Sequence, residues 1–215
     1  MYFTGRRLWG RVSGRGIGII DTIHLFEVAK SIMAMQDSGY IPQEDLIKIK
    51  DWFIEYLNWI TTHPYGISER DNGNNHSVCW ALQVAVFSEL VGNTEQSKFV
   101  RNMYKNELLP QQLALDGSFP LELKRTKPYG YSLFNLDVMT ALCQVLSTQD
   151  NSLFSYTTDN GKGIKKGLSF LYSYVEDKNL WPNGKDVMYW DEWPVRHPFL
   201  IFSGLALENQ DYIGL

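Results

Sequence analysis

One uninterrupted helical pattern restricts the fold of this chain more than any other feature of its sequence. Residues 78–91 contain neither glycine nor proline, and Trp80, Val84, Phe87 and Val91 recur at steps of three and four residues. Apolar residues at this spacing lie on one face of an α-helix. The pattern predicts a long buried helix against which the other elements must pack.

Helical spacing also dominates the rest of the sequence, and capping residues or prolines separate the segments that carry it. Further helices are predicted over approximately residues 21–38, 42–63, 93–108, 132–147, 164–175 and 199–207. The remaining predictions are an irregular N-terminal segment at 1–19, a polar loop at 65–75, and two loops around a short extended piece at 116–131. Because no segment alternates convincingly between apolar and polar side chains, we predict an all-α fold of about seven helices in antiparallel hairpins.

Length and charge limit the class of protein. The 215 residues suit a single domain, so we predict one domain over residues 1–215. The formal net charge of −4 argues against binding to nucleic acid or to a membrane surface. The first residues lack the apolar core of a secretion signal. No stretch approaches the length of a membrane span, which needs about 20 apolar residues.

Cys79 and Cys143 lie among apolar residues, which favours buried thiols, with a disulfide as the alternative.

The polar residues 72–77, which precede the long helix, form the first candidate for a functional site. Asn and Gly favour turns, so His76 should lie at a helix N-terminus beside one or two carboxamides. Unpaired N–H groups and the helix dipole attract anions there and disfavour a positive imidazole, which suits His76 to accept a proton from an acidic ligand. If the second long loop faces the same end of the helices, Arg125 and Tyr131 join His76 and Asn75 in one site.

These two segments together resemble a known family. Asn-Asn-His-Ser at residues 74–77 precedes a Trp-containing helix, and Asp-Gly-Ser-Phe-Pro-Leu-Glu-Leu-Lys-Arg at residues 116–125 precedes a tyrosine that opens the next helix. Their order and spacing are similar to those of the alginate lyase family of polysaccharide lyases, with a weaker similarity at Gly16–Thr22. That family folds as an (α/α) toroid with more helices than are predicted here. The resemblance therefore implies the C-terminal part of a longer toroid, lacking N-terminal helices.

The resemblance also implies a reaction, β-elimination in a uronic acid polymer such as alginate or polymannuronate. A base removes the proton at C5 of the sugar, the C4 oxygen leaves with a proton, and an unsaturated uronate end remains. Asn75 and Arg125 match the residues that neutralise the sugar carboxylate. His76 and Tyr131 match the base and the acid, and Tyr131 also serves as the base on one epimer.

Two assignments within the motifs keep an alternative. The spacing from Arg125 to Tyr131 is one residue shorter than the family pattern, and Tyr129 lies two residues earlier, which makes it the alternative catalytic tyrosine. Asn74 is likewise the alternative to Asn75. Each motif alone is equally consistent with a helix cap or a solvated loop charge.

We predict that positive and aromatic side chains around these motifs bind an acidic polymer. The ordinary alternatives are that the charges are solvated loop residues and that the rings pack in the core. The predicted substrate-binding residues are Asn74, Lys124, Lys127, Tyr129, Trp190, Arg196 and His197. The four histidines are scattered along the chain, so we predict neither a metal site nor a cofactor. By resemblance, the protein is expected to be periplasmic or secreted.

Three functions remain as competing hypotheses. The first is a polyuronate lyase acting on alginate or on another polymer such as glucuronan. The second is a glycoside hydrolase on a similar toroid, with paired carboxylates drawn from Asp116, Glu122, Asp191 and Glu192. The third is an inactive carbohydrate-binding remnant. An ultraviolet-absorbing double bond in the product would distinguish the first from the other two.

Overall fold

The computed structural model describes residues 14–215, and this part of the chain is helical. The α-helices are α1 (Leu25–Met35), α2 (Gln43–Thr62), α3 (Pro64–Arg70), α4 (Asn75–Val91), α5 (Thr94–Met103), α6 (Leu109–Gln112), α7 (Pro120–Leu123), α8 (Pro128–Leu146), α9 (Ile164–Glu176), α10 (Pro198–Leu207) and α11 (Gln210–Gly214). Two 3-10 segments cover Gly16–Thr22 and Lys178–Leu180, and a π-helical segment covers Tyr104–Leu108. Residues 14–215 contain no β-strand, which confirms the predicted all-α fold class.

Each of the seven predicted helices is present, but several local predictions are wrong. The predicted polar loop at 65–75 contains α3, which begins at Pro64 because His63 accepts a hydrogen bond from the Tyr65 N–H at 3.1 Å and proline suits a first helical position. The predicted extended piece is the short helix α7. Helix α8 begins at Pro128, four residues before the predicted start, because proline suits a first helical position there too. Of the predicted irregular segment at 1–19, residues 16–19 are 3-10 helical, and residues 1–13 lie outside the described residues.

The chain divides into two compact units. Among the described residues, the first consists of 14–72 together with Cys79–Val100, so it holds α1 to α3 and most of α4. Its core joins α2 to α4: the rings of Phe53 and Phe87 lie 5.0 Å apart, and the Trp80 indole N–H donates to the Ile60 carbonyl at 3.0 Å. The periodic face that predicted α4 is therefore the face that packs.

The second unit consists of Gly73–Val78 and Arg101–Leu215, and α8 is its central element. Helices α7, α9 and α10 all pack against α8, most of whose residues are buried. The first turn of α4 belongs to this unit, so the polar residues before α4 and the loop before α8 lie in the same compact body. This is the arrangement on which the predicted site depends.

Two further sequence predictions concern the helices. Cys79 and Cys143 are both buried, and no disulfide joins cysteines in residues 14–215, which confirms the prediction of buried thiols. None of the helices in this range has the length and apolar character needed to cross a membrane.

Candidate active site

The centre of the candidate site is Glu122, a carboxylate with no exposed surface at the end of α7. Its Oε1 accepts a hydrogen bond from the main-chain N–H of Asn75 at 2.8 Å, and its Oε2 accepts one from the Asn75 side-chain amide at 3.0 Å. The Arg125 guanidinium donates to the same Oε2 at 3.2 Å. One buried carboxylate thus holds together two of the predicted catalytic residues, which are 50 positions apart in the sequence.

The electrostatics of Glu122 reflect two opposing effects. Burial raises the pKa of Glu122 above its ordinary value, because the ionised carboxylate loses the solvation of water. The Asn75 main-chain N–H, the Arg125 guanidinium and the nearby His76 each act in the other direction on that pKa. The donors around Glu122 therefore favour the charged form against the cost of its burial.

Asn74 and His76 form the start of α4 on either side of Asn75. The Asn74 side-chain oxygen accepts from the His76 N–H at 3.0 Å, which is the geometry of a helix N-cap. The Asn74 carbonyl accepts from the Gln112 side-chain amide at 3.0 Å, and Gln112 in turn accepts from Asn135 at 3.1 Å. Asn74 is thereby engaged in holding the turn, while His76 is half-buried beside Glu122.

Tyr131 is linked to this group through Arg125. The Arg125 guanidinium carbon lies 3.4 Å from the centre of the Tyr131 ring, and the Lys127 ammonium lies 5.2 Å from it. Cations this close to a phenol ring favour negative charge on the phenol oxygen. The predicted residues Asn75, Arg125 and Tyr131 therefore form a continuous set of contacts through Glu122.

Tyr129, the alternative catalytic tyrosine, has a different environment. It is 2 % exposed, its hydroxyl donates to the Tyr174 carbonyl at 3.2 Å, and its ring packs against Trp181 and Trp190 at 5.2 and 5.5 Å between centres. Burial, and to a lesser degree the nearby Asp186, raise the pKa of Tyr129 to about 12. Tyr129 is a core residue, whereas Trp190 is only partly buried and Tyr131 remains half-exposed.

Tyr131 also lines a cavity of about 170 Å³. Lys127, Trp193 and His197 are among the residues that line it. His197 is 6 % exposed, and its Nδ1 lies 3.2 Å from the Asp137 carboxylate. Of the predicted substrate-binding residues, the structure therefore places Lys127 and His197 beside Tyr131.

The other predicted charged residues do not join this group. Lys124 and Arg196 are exposed, and Arg196 is not part of the cavity lining. Among the carboxylates considered for a hydrolase, Asp116 accepts hydrogen bonds from the main chain and hydroxyl of Ser118, which lower the pKa of Asp116. No cluster of three metal-binding side chains occurs within residues 14–215.

Sequence reasoning missed the role of three buried or partly buried carboxylates, Glu122, Asp137 and Asp186. Glu122 was considered only as a hydrolase carboxylate, although its spacing of three residues from Arg125 places the two on one side of a helical turn. The Asp186 carboxylate accepts from the main-chain N–H groups of Tyr129 and Gly130, both at 2.9 Å. The residues next to Asp186 in the sequence do not indicate these contacts, which join positions 56 and 57 residues apart.

Comparisons with known proteins concern the family and the fold of the chain. A family model described as "Alginate lyase" matches residues 3–181. A solved alginate lyase structure from Bacteroides ovatus is 26 % identical, with a TM-score of 0.85 over 94 % of this chain and 53 % of that chain. Alginate lyase A1-III from Sphingomonas species A1 is 17 % identical, with a TM-score of 0.64 over 77 % of this chain and 45 % of that chain, a likeness of fold alone.

The chain thus spans about half the length of these solved structures. No relative was found among curated proteins. The helical architecture agrees with the predicted (α/α) toroid class.

Proposed function

Because this chain belongs to the alginate lyase family, we propose that it is a polysaccharide lyase that cleaves an alginate-like polyuronate by β-elimination. The observation that carries the proposal is the buried Glu122 carboxylate, which binds both Asn75 and Arg125 while Arg125 covers the Tyr131 ring. An amide, a guanidinium, an imidazole and a phenol are thereby grouped in one compact unit. These are the groups that β-elimination beside a carboxylate requires.

Arg125 is the residue best placed to neutralise the sugar carboxylate. Its side chain is 28 % exposed, and only one of its N–H groups is directed to Glu122, so the others can bind a carboxylate. Asn75 is 1 % exposed, and the structure supports a supporting role for its amide behind the guanidinium. Neutralising the carboxylate makes the neighbouring C5 proton more acidic and stabilises the enolate that forms when it leaves.

The proton transfers are assigned to His76 and Tyr131. We assign His76 as the base that removes the C5 proton, since it is half-buried at the N-terminus of α4 beside Glu122. The electron pair of the C5–H bond forms the C4=C5 double bond, the C4–O bond breaks, and the Tyr131 hydroxyl gives its proton to the leaving oxygen. On the other epimer, Tyr131 also acts as the base. Because the substrate is a polymer, we further propose a periplasmic or secreted location.

The test is production of an unsaturated sugar by the purified protein on polymannuronate, glucuronan and a neutral polysaccharide. Ultraviolet absorbance should rise on a polyuronate only. Tyr131→Phe should lower kcat by about 10²- to 10⁴-fold, the usual contribution of a general acid or base. Tyr129→Phe removes the same hydroxyl two residues away and should change kcat less than about threefold, because that hydroxyl only bonds the Tyr174 carbonyl.

Other results would contradict the proposal in distinguishable ways. New reducing ends without ultraviolet absorbance would indicate hydrolysis. Binding of polyuronate by the folded protein with no product would indicate a carbohydrate-binding remnant. Equal losses in the Tyr129 and Tyr131 variants would remove Tyr131 from its assigned role.

A further inference from the structure

The peptide group between Asn74 and Asn75 is held by hydrogen bonds on both of its sides. Its carbonyl oxygen accepts a hydrogen bond from the Gln112 side-chain amide at 3.0 Å. Its N–H donates to the buried Glu122 carboxylate at 2.8 Å. Because a trans peptide group is planar, with its C=O and N–H pointing in opposite directions, the two bonds together fix the orientation of the plane. They thereby set the direction in which the chain enters α4, directly before His76.

Gln112 is itself oriented by a second side-chain amide. Its oxygen accepts from the Asn135 side-chain N–H at 3.1 Å, and Gln112 and Asn135 are only 3 % and 1 % exposed. A main-chain carbonyl can only accept, so Asn74 requires the N–H₂ end of Gln112. The other end of Gln112 is then an acceptor, which requires the N–H₂ end of Asn135. We call these two successive hydrogen bonds, from Asn135 to Gln112 and from Gln112 to the Asn74 carbonyl, the amide relay.

The amide relay begins on the helix that carries Tyr131. Asn135 lies on α8 four residues after Tyr131, so the two residues lie on one side of the helix, about one turn apart. Gln112 is the last residue of α6, and the relay passes through it to the first turn of α4. The contacts of Glu122 and Arg125 form a separate connection between the same two helices. The elements that carry the assigned acid and base are therefore connected twice.

The contribution of the two amides to stability does not account for their presence in the core. The Asn135 side-chain oxygen is buried and has no hydrogen-bond partner within residues 14–215. A buried polar atom left unpaired usually costs more than one neutral hydrogen bond contributes, and apolar side chains of the same shape would pack without that cost. The orientation of the peptide before Asn75 is what the amides supply and apolar side chains would not.

We propose that Gln112 and Asn135 are positioning residues for β-elimination. They hold the peptide before Asn75 and thereby keep Asn75 and His76 in the orientation that carboxylate neutralisation and proton transfer require. Both side chains are buried, so they act through this peptide and not by contact with the polymer. The inference rests on the proposed function, because the orientation of this peptide affects turnover only if Asn75 and His76 take part in the reaction.

Steady-state cleavage of polymannuronate by the Gln112→Met variant is the first test. Methionine keeps the length of the side chain but cannot donate to the Asn74 carbonyl, which then keeps only the N–H of Ser77 at 3.0 Å. A displacement of about 1 Å in a catalytic group can cost about 10² in rate, so a partial rotation of the peptide should lower kcat about tenfold. KM should stay within about twofold, because Arg125 still binds the sugar carboxylate.

The double variant Gln112→Met/Asn135→Leu separates positioning from stability. Gln112→Met alone leaves the Asn135 amide unpaired and should lower Tm. Adding Asn135→Leu removes that unpaired amide, and Tm should recover, because replacing both partners by apolar groups of similar shape is nearly neutral. The Asn74 carbonyl still lacks its donor, so kcat should stay about tenfold low. A purely structural role would restore kcat together with Tm.

Gln83→Met is the matched control. Gln83 is also a fully buried glutamine, whose oxygen accepts from Thr22 at 2.8 Å and whose N–H₂ donates to the Cys79 carbonyl at 3.4 Å. This variant should lower Tm and leave kcat within about twofold, because it acts two turns further along α4. If Gln112→Met does not fold, Asn135→Leu alone loosens the far end of the relay and should lower kcat about threefold at unchanged KM.

Three results would overturn the positioning role while cleavage by the wild-type protein left the proposed function standing. They are a wild-type kcat in the folded relay variants, a kcat that recovers with Tm in the double variant, and an equal loss of kcat in Gln83→Met. A rise in KM without a fall in kcat would also overturn it, since that result indicates contact with the polymer. If the wild-type protein cleaved no polyuronate, both proposals would fall.

Discussion

Glu122 and Asp186 are buried carboxylates that complete the N-termini of two helices in the same unit. Glu122 accepts the main-chain N–H of Asn75, the first residue of α4. Asp186 accepts those of Tyr129 and Gly130 in the first turn of α8. In both cases a negative charge pairs with main-chain N–H groups that the helix cannot satisfy and with the positive end of its dipole.

The two carboxylates differ in their remaining partners. Glu122 binds the Asn75 amide and the Arg125 guanidinium, whereas Asp186 binds the Trp193 indole. The same capping interaction therefore holds polar side chains together at α4 and an indole ring against α8. We expect changes at Glu122 to act mainly on kcat, and changes around Asp186 to act mainly on stability and KM.

The largest expected effect is that of Glu122→Gln. Glutamine keeps the size of the side chain but presents one amide N–H₂ where an acceptor is needed, so it can no longer accept from the Asn75 main chain and from the Asn75 and Arg125 side chains at once. A displacement of about 1 Å in a catalytic group can cost about 10² in rate, and we expect kcat to fall by about that factor. Asp186→Asn is the matched change at the other helix and should leave kcat within about threefold. Steady-state kinetics on polymannuronate would measure kcat of both variants, and thermal melts would measure their stability. Equal kcat values for the two variants would contradict the different roles expected for the two carboxylates.

Sequence patterns predicted the helices because helical periodicity is a local property. The face of Trp80, Val84 and Phe87 packs as its spacing indicated. The errors came from prolines: Pro64 and Pro128 were interpreted as ends or loop residues, although a proline also fits the first position of a helix. The capping side chain of His63 favours the helical position at Pro64, whereas Lys127 before Pro128 makes no side-chain cap.

The site was predictable only as a set of residue types. The motifs named Asn75, His76, Arg125 and Tyr131, and the structure brings Asn75, Arg125 and Tyr131 together through Glu122. The contacts of Glu122 with Asn75 and of Asp186 with Gly130 join positions that are distant in the sequence, and no local pattern encodes such a pairing. The difference in burial also distinguishes Tyr129, a core residue, from Tyr131, a distinction that the spacing of the two tyrosines in the sequence could not make.

The next largest effect is expected at Gly130, where Asp186 and Trp193 meet α8. Alanine normally stabilises a helix interior by about 0.5–1 kcal/mol relative to glycine. At Gly130, however, the added Cβ would lie 2.2 Å from Trp193 and 2.9 Å from the Asp186 carboxylate, and overpacking of this kind costs about 1–3 kcal/mol. Gly130→Ala should therefore lower the free energy of unfolding and raise KM, with a smaller change in kcat.

Gly214→Ala is the control for this prediction, because its Cβ would meet no atom within 4 Å. Denaturant unfolding of the two variants compares them directly. A Gly130→Ala protein as stable as the wild type would show that Trp193 moves aside without cost.

A smaller loss of stability is expected for Asp186→Asn. The amide keeps one acceptor oxygen for a main-chain N–H of α8 but removes the charge, and loss of a good N-cap typically costs about 1 kcal/mol. Thermal unfolding at neutral pH would measure this change. Asp211→Asn, which alters an exposed acidic residue in the first turn of α11, is the comparison. A loss no greater than that of the Asp211 variant would contradict a capping role for Asp186.

The smallest effect concerns the phenol beside Asp186. Burial and, second, the charge of Asp186 raise the pKa of Tyr129 to about 12, whereas an unfolded chain releases that proton near 10. Because the folded pKa is the higher one, this contribution to stability is complete below about pH 10 and is lost as the pH rises through about 12. Between these pH values, the Tyr129→Phe variant should therefore lose less stability than the wild type. Thermal melts over this pH range would measure the difference.

In the Asp186→Asn variant, the pKa of Tyr129 should fall but stay above its ordinary value. Tyrosine absorbance titrations would measure this shift. An Asp186→Asn titration identical to that of the wild type would show that burial alone sets the pKa of Tyr129.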